Sequence, residues 1–380
     1  MQLSTNIRHH TQLTPIEKYV NLRDGDRDDL LDFFFAMAAR FRYGLGYGPQ
    51  SFSKVGTGNK WFEQFGLRKG FSRNEKMQNM ERSIMAQANA NGIQIEYETF
   101  GVVSDRPLLL IIGFSGQMIW WDDEICKNLA ERGHYVIRFD NRDVGLSTKF
   151  EEAGTPDLME IFGKLVKGEK VSVPYTLDDM ADDAAGLLDA LGIQRAHICG
   201  MSMGGMIAQT IAIRHPARVL SLISIYSTTG NPELPKPKPE AIQVLVTPTP
   251  SEREEYIEYQ FGVRKIISGP GFPVDEKWAR KIMAQSYDRC FYPPGTARQL
   301  LAILTQTDRR AALASVKAPT LVIHGTDDPL VTVEGGKDTA KAIPGSELML
   351  IEGMGHDIPH GGAWPRIVEA ITAHTKKSAA

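Results

Sequence analysis

From Asn91 onward the chain alternates between two hydrophobic periods. Ile93 to Phe100 sets apolar and polar side chains on successive positions, the period-two pattern of an antiparallel edge strand with one solvated face. Leu108 to Ile112 is continuously apolar, as a strand covered on both faces must be. Tyr135 to Phe139, Ala196 to Cys199, Val219 to Ile225, Thr320 to Ile323 and Leu348 to Ile351 read as further buried strands. Helical periods separate them, most clearly over Asp178 to Leu191, where Thr176 is placed to cap the N-terminus and Gly192 to stop the helix. The alternation predicts an α/β fold with a mostly parallel central sheet and helices on both faces.

The alternation stops between residues 228 and 310. A Pro-rich stretch (Pro232, Pro235, Pro237, Pro239) and several amphipathic helical patterns take its place, which predicts a helical cap inserted over the strand ends. The core is then 81–227 together with 311–380. Residues 1–80 read as an N-terminal helical extension. Its greasiest run, Leu30 to Ala39, lines up Leu30, Phe34, Met37 and Phe41 at helical spacing, but falls short of the ~20 apolar residues of a membrane span. Trp61, Phe62, Phe65 and Phe71 stand there among basic residues. A packing arm is the plain reading, and contact with a partner or a membrane surface is the alternative.

Composition narrows the function classes. With 42% hydrophobic and 23% charged residues and no low-complexity tract, the chain is expected to be globular and soluble. A formal charge of -3 supplies no excess of Lys and Arg for nucleic-acid phosphates, so the expected partner is a small molecule and not a nucleic acid. Three scattered cysteines, Cys126, Cys199 and Cys290, make a disulfide framework improbable and point to a reducing compartment, the cytoplasm. Met1-Gln2-Leu3-Ser4-Thr5 lacks the basic start of a secretory signal.

The chemistry-bearing stretch is Gly200-Met201-Ser202-Met203-Gly204-Gly205, which follows an apolar strand and opens a helical pattern. A serine on a sharp strand-to-helix turn needs neighbours without side chains, because a Cβ two residues either side collides with backbone. The helix N-terminus beneath it also favours developing negative charge. Of nine histidines, His356 in Gly353-Met354-Gly355-His356 follows the last predicted strand and suits the general base, with His360 as the alternative. The two are not spaced as helical metal ligands, since Pro359 interrupts them. His324-Gly325-Thr326-Asp327-Asp328-Pro329 offers the carboxylate: Asp328 lies deeper in the turn, Asp327 suits a turn former, and Asp357 is expected to point away from its neighbour His356. The oxyanion donors are expected to be the N–H groups of Met203 and, in Gly113-Phe114-Ser115-Gly116, of Phe114. Met118, Trp120 and Trp121 are expected to line the substrate site. No G-x-G-x-x-G is present, so no dinucleotide is expected.

These segments, with Phe139-Asp140-Asn141-Arg142-Asp143-Val144-Gly145-Leu146-Ser147, resemble the α/β-hydrolase superfamily, and nucleophile, acid and histidine follow its order. Gly353-Met354-Gly355-His356-Asp357-Ile358-Pro359 is similar to bacterial serine esterases such as aclacinomycin methylesterase. The likeness runs from about Asn91 to the C-terminus, weakly in the cap. Many relatives carry His-Gly where this chain has Ile112-Gly113, which removes a side chain that organises the oxyanion loop. The resemblance implies ester hydrolysis through an acyl-enzyme on Ser202, His356 and Asp328, with no metal or organic cofactor. Lactone hydrolysis, C–C bond hydrolysis or perhydrolysis by the same residues is the alternative reaction. A non-catalytic binding protein on this fold is the alternative of another class.

Overall fold

The computed structural model describes residues 84–378 apart from 168. The extension read over 1–80 lies outside the described residues. Eight strands form one sheet in the order β1-β2-β4-β3-β5-β6-β7-β8: β1 (Ile84–Ala90), β2 (Ile93–Phe100), β3 (Arg106–Ile111), β4 (His134–Phe139), β5 (Ala196–Met201), β6 (Val219–Ile225), β7 (Thr320–Gly325) and β8 (Glu347–Ile351). β1 and β2 run antiparallel, β2 also pairs antiparallel with β4, and every later pair is parallel.

Two strands differ from their sequence reading at the sheet's margins. β2 is antiparallel as expected but internal, because β1 pairs with its outer side and takes the edge. β8 is the opposite edge and not a buried strand, with Leu348 and Leu350 exposed. Apolar composition alone does not distinguish an edge from a centre; the neighbour does.

The helices that follow in chain order are α1 (Asp123–Glu131), α2 (Leu158–Val166), α3 (Leu177–Ala190), α4 (Met203–Arg214), α5 (Pro239–Val246), α6 (Arg253–Ile267), α7 (Glu276–Arg289), α8 (Pro293–Leu304), α9 (Arg310–Leu313), α10 (Val333–Ala342) and α11 (Trp364–Lys377). Thr176 caps α3 through a reciprocal box: Asp179 N–H donates to its hydroxyl at 3.4 Å, and Asp179 Oδ2 accepts its backbone N–H at 2.7 Å. Past the helix end, Gly192 turns at φ +70°, which glycine adopts without strain.

The sheet divides two apolar layers, and β3 shows how. Leu109 and Ile111 face a cluster with Ile198 and with α3 and α4, whereas Leu108, Leu110 and Ile112 face one built with Ile223, Ile323 and the α1 and α11 side chains. The strand is close-packed on both faces up to its C-terminal end, where the loops of interest begin. Helices α5 to α8 fall between β6 and β7, where the strand–helix alternation of the sequence ceases. Among the described residues no helix is long and apolar enough to cross a membrane.

Candidate active site

Each candidate residue leaves the C-terminal end of a parallel strand, the edge at which open α/β sheets gather their ligand-facing loops. Ser202 follows β5 immediately and sits at φ 54°, ψ -121°, a conformation that L side chains rarely adopt. Its N–H donates to Ile225 O at 2.9 Å, and its carbonyl accepts the Gly205 N–H at 2.9 Å, so the bend is fastened on both sides. The glycines are sterically required. A Cβ at Gly200 overlaps the Gly204 carbonyl, a Cβ at Gly204 overlaps Ile111 O, and one at Gly205 falls 2.6 Å from the Ser227 Cβ.

Three side chains are joined by hydrogen bonds. Asp328, beyond the end of β7, accepts His356 Nδ1–H on Oδ2 at 2.7 Å, and His356 Nε2 lies 2.8 Å from Ser202 Oγ. In the tautomer that places Nδ1–H toward the carboxylate, Nε2 is the acceptor for the Ser202 O–H. Asp328 is 5% exposed and His356 7%. The other carboxylate oxygen, Oδ1, accepts the Leu330 and Val331 N–H groups, each at 2.8 Å. Burial pushes the Asp328 carboxyl up, but the pull of His356 and hydrogen bonds from His324 and His356 outweigh it and leave it lowered to about 2. Asp327 takes the turn-forming role instead, its carboxylate accepting from Thr326 Oγ1 at 2.6 Å and from Gly353 N–H at 3.1 Å.

A second imidazole is present that the sequence reading did not assign. His324 Nε2 donates to Val331 O at 2.8 Å and stands 3.4 Å from Asp328 Oδ2, on the carboxylate oxygen that holds His356. The signal was in view as a histidine four residues before the aspartate in one turn.

The histidine loop is pinned by the helical insert. His356 N–H donates to Ile267 O at 2.8 Å, and Gly271 N–H donates to Gly353 O at 2.9 Å. Asp357 points away from the array as expected and accepts Arg264 Nη1–H on both oxygens, at 2.9 and 3.0 Å. His360 also turns elsewhere: it stacks on Trp278 at 5.2 Å and its Nδ1 lies 3.0 Å from Asp275 Oδ2.

On the other side of Ser202, Gly113 brings the turn after β3 against the serine, and a Cβ built there lies 3.2 Å from Ser202 Cβ. Gly116 N–H closes this turn on Gly113 O at 3.3 Å, with Ser115 at φ 57°. Asn141 Nδ2 donates to Ile112 O at 3.1 Å, and Gln299 Oε1 accepts Ser115 N–H at 2.9 Å. These two side chains fasten the turn that follows Ile112 and Gly113. The N–H groups of Phe114 and Met203 donate to no protein acceptor among the described residues.

A cleft of about 60 Å³ opens beside the turn, between Ser115 and Gln117 and the insert residues Tyr256, Phe291, Tyr292 and Thr296. Met118, Trp120 and Trp121, expected to line the substrate site, are not among its walls. Met118 and Trp121 are fully buried, Trp121 in the core layer with Leu129 and Val136. Trp120 is half-buried and ties to the insert, its Nε1–H donating to Ser286 Oγ at 2.8 Å.

Known proteins resemble this chain over the same span. A family model described as alpha/beta hydrolase fold matches residues 106–363. The rhodomycin D methylesterases DauP of Streptomyces sp. (strain C5) and DnrP of Streptomyces peucetius are each 30% identical over 300 residues, covering 73% of this chain and 94% of theirs. Among solved structures, a thermophilic esterase from Thermogutta terrifontis superposes with a TM-score of 0.58 at 23% identity, covering 78% of this chain and 99% of its own. The meta-cleavage product hydrolase CumD from Pseudomonas fluorescens IP01 does so at 0.59 and 18%, covering 77% and 98%. At these identities the two structures bear on the fold.

Proposed function

The chain belongs to the α/β-hydrolase fold family, and from that premise we propose that it is a serine hydrolase that cleaves carboxylic esters of small or medium substrates through an acyl-enzyme. The single observation that carries this reading is the 2.8 Å approach of His356 Nε2 to Ser202 Oγ, on a serine held at positive φ.

Ser202 Oγ bonds the ester carbonyl carbon while its proton passes to His356 Nε2, and the carbonyl electrons move onto oxygen. The N–H groups of Met203 and Phe114 receive that oxyanion. When the tetrahedral centre collapses, the C–O bond to the alcohol breaks and His356 returns the proton to the departing oxygen. Water then bonds the acyl carbon while giving a proton to His356; the bond from that carbon to Ser202 Oγ breaks, His356 returns the proton to Oγ, and the acid leaves. Asp328, ionised throughout, holds the tautomer and offsets the imidazolium charge. The residues involved need no metal or organic cofactor for these steps. Helices α5 to α8, within residues 228–310, act as a substrate-selecting cap on a core of 81–227 and 311–380. The free thiols Cys126, Cys199 and Cys290 support a reducing compartment such as the cytoplasm.

Turnover of p-nitrophenyl acetate or butyrate that vanishes in Ser202→Ala is the expected result, with a fluorophosphonate probe labelling the wild type and not the variant. No turnover across a broad ester panel would count against esterase action; labelling without ester turnover would direct attention to lactones or C–C substrates, distinguishable by product analysis. Failure to label would favour a non-catalytic protein.

A further inference from the structure

We infer that Gln299, on α8 of the insert, is a positioning residue that sets the oxyanion-binding turn. The inference rests on Ser202 being the nucleophile. Gln299 is 0% exposed, and its side-chain amide bridges two loops. Oε1 accepts Ser115 N–H at 2.9 Å, and Nε2 donates to Arg142 O at 2.9 Å. No other side chain accepts the Ser115 N–H among the described residues. Ser115 directly follows Phe114, and with φ 57° its backbone is in a region that a non-glycine residue holds only when its surroundings impose it. The amide is what holds it here: losing the acceptor leaves a partly buried N–H without its protein partner, and the peptide plane between Phe114 and Ser115 is then freer to rotate.

The direction of that rotation matters for chemistry. The Phe114 N–H belongs to the preceding peptide unit, so it is displaced when the change in Phe114 ψ and Ser115 φ is uncompensated and the turn shifts against Ser202. The Gly113–Gly116 hydrogen bond, at 3.3 Å, and the Asn141 bond to Ile112 O, at 3.1 Å, fasten the turn on either side, but among the described residues only Gln299 accepts the Ser115 N–H itself. Gln299 is itself located by α8, whose Arg298 is paired to Asp143 through two 2.8 Å hydrogen bonds with both groups fully buried. The insert therefore contributes the frame of one oxyanion donor as well as covering the strand ends. Gln299 touches no reacting atom; it acts through Ser115.

The test compares Gln299→Leu, Gln299→Glu and Leu300→Ala in the full chain. Leu300 is a buried neighbour on α8 whose apolar side chain makes no hydrogen bond to either loop, so it reports the cost of damaging the helix packing without removing an acceptor. Active sites are counted by fluorophosphonate titration, so kcat is expressed per reactive serine. Gln299→Leu is expected to lower kcat by about 10- to 100-fold with KM within about twofold, as misplacement of catalytic groups does. An alkyl boronic acid, which presents the tetrahedral oxyanion, should lose affinity by a similar factor. Gln299→Glu keeps the acceptor for Ser115 and should recover most of the boronic-acid affinity lost by the leucine variant. Leu300→Ala should lower thermal stability while its kcat per site stays near wild type. Unchanged kcat per site in Gln299→Leu, or an equal loss in Leu300→Ala, overturns the inference. Retained activity in Ser202→Ala would instead overturn the esterase reading on which it depends.

Discussion

A serine at φ 54° costs roughly 1–3 kcal/mol relative to a relaxed backbone, and the molecule tolerates it because the adjoining glycines leave the bend room. Gly204→Ala forces a methyl into Ile111 O, so we expect a loss of at least about 2 kcal/mol in urea unfolding, together with the loss of ester turnover. At the carboxylate, Asp328→Asn preserves size but presents an amide that no longer selects the Nδ1–H tautomer. kcat should fall by about 10⁴-fold with little change in KM, measured on p-nitrophenyl butyrate. The same carboxyl links to stability: its folded value is lowered from 3.8 to about 2, so its contribution is fully present above 3.8 and lost as pH falls through 2. Ser202, His356 and Asp328 were each readable as types in a fixed order within short motifs. His324 was present in the same motif, but the 3.4 Å approach to Asp328 depends on how the turn curls, which a linear spacing does not specify.

At the level of elements, local sequence determined what local hydrogen bonds can enforce. Thr176 was readable as the α3 cap because Ser/Thr/Asp preferences act within four residues; Thr176→Ala should cost about 1 kcal/mol in thermal unfolding and leave kcat per labelled site unchanged. The insert's grip on the histidine loop was not readable. Arg264 and Asp357 are 93 residues apart, and their pairing appears only after α6 has been laid against the loop. Arg264→Met leaves the mostly buried Asp357 carboxylate without its cation, and we expect a destabilisation of roughly 3 kcal/mol, detectable as a lowered melting temperature. The same distance hid Gln299, which lies 184 residues from Ser115.

Across the whole molecule, the sheet separates chemistry from a different kind of titration. His134, at the start of β4, and His197, near the start of β5, are fully buried at the strand ends opposite Ser202. Burial is the main cause that lowers them, from 6.5 to about 4 and about 3 respectively. The folded state resists their protonation, so stability is fully present above 6.5 and falls as pH drops toward 4. Unfolding in urea at pH 4.5 should show a loss of roughly 2–3 kcal/mol per histidine relative to pH 7.5, and His134→Gln should reduce that loss. Legible from residue order were the alternation of strands and helices, the place where it stops, and the serine, acid and histidine motifs, since period, capping and steric turn rules act over a few residues. Tertiary structure alone decided which strands are edges, that Trp121 packs inward, and which distant side chains hold the loops. Those outcomes depend on contacts between segments whose separation along the chain leaves no local trace, because the energy that selects them arises only once the sheet and insert have packed.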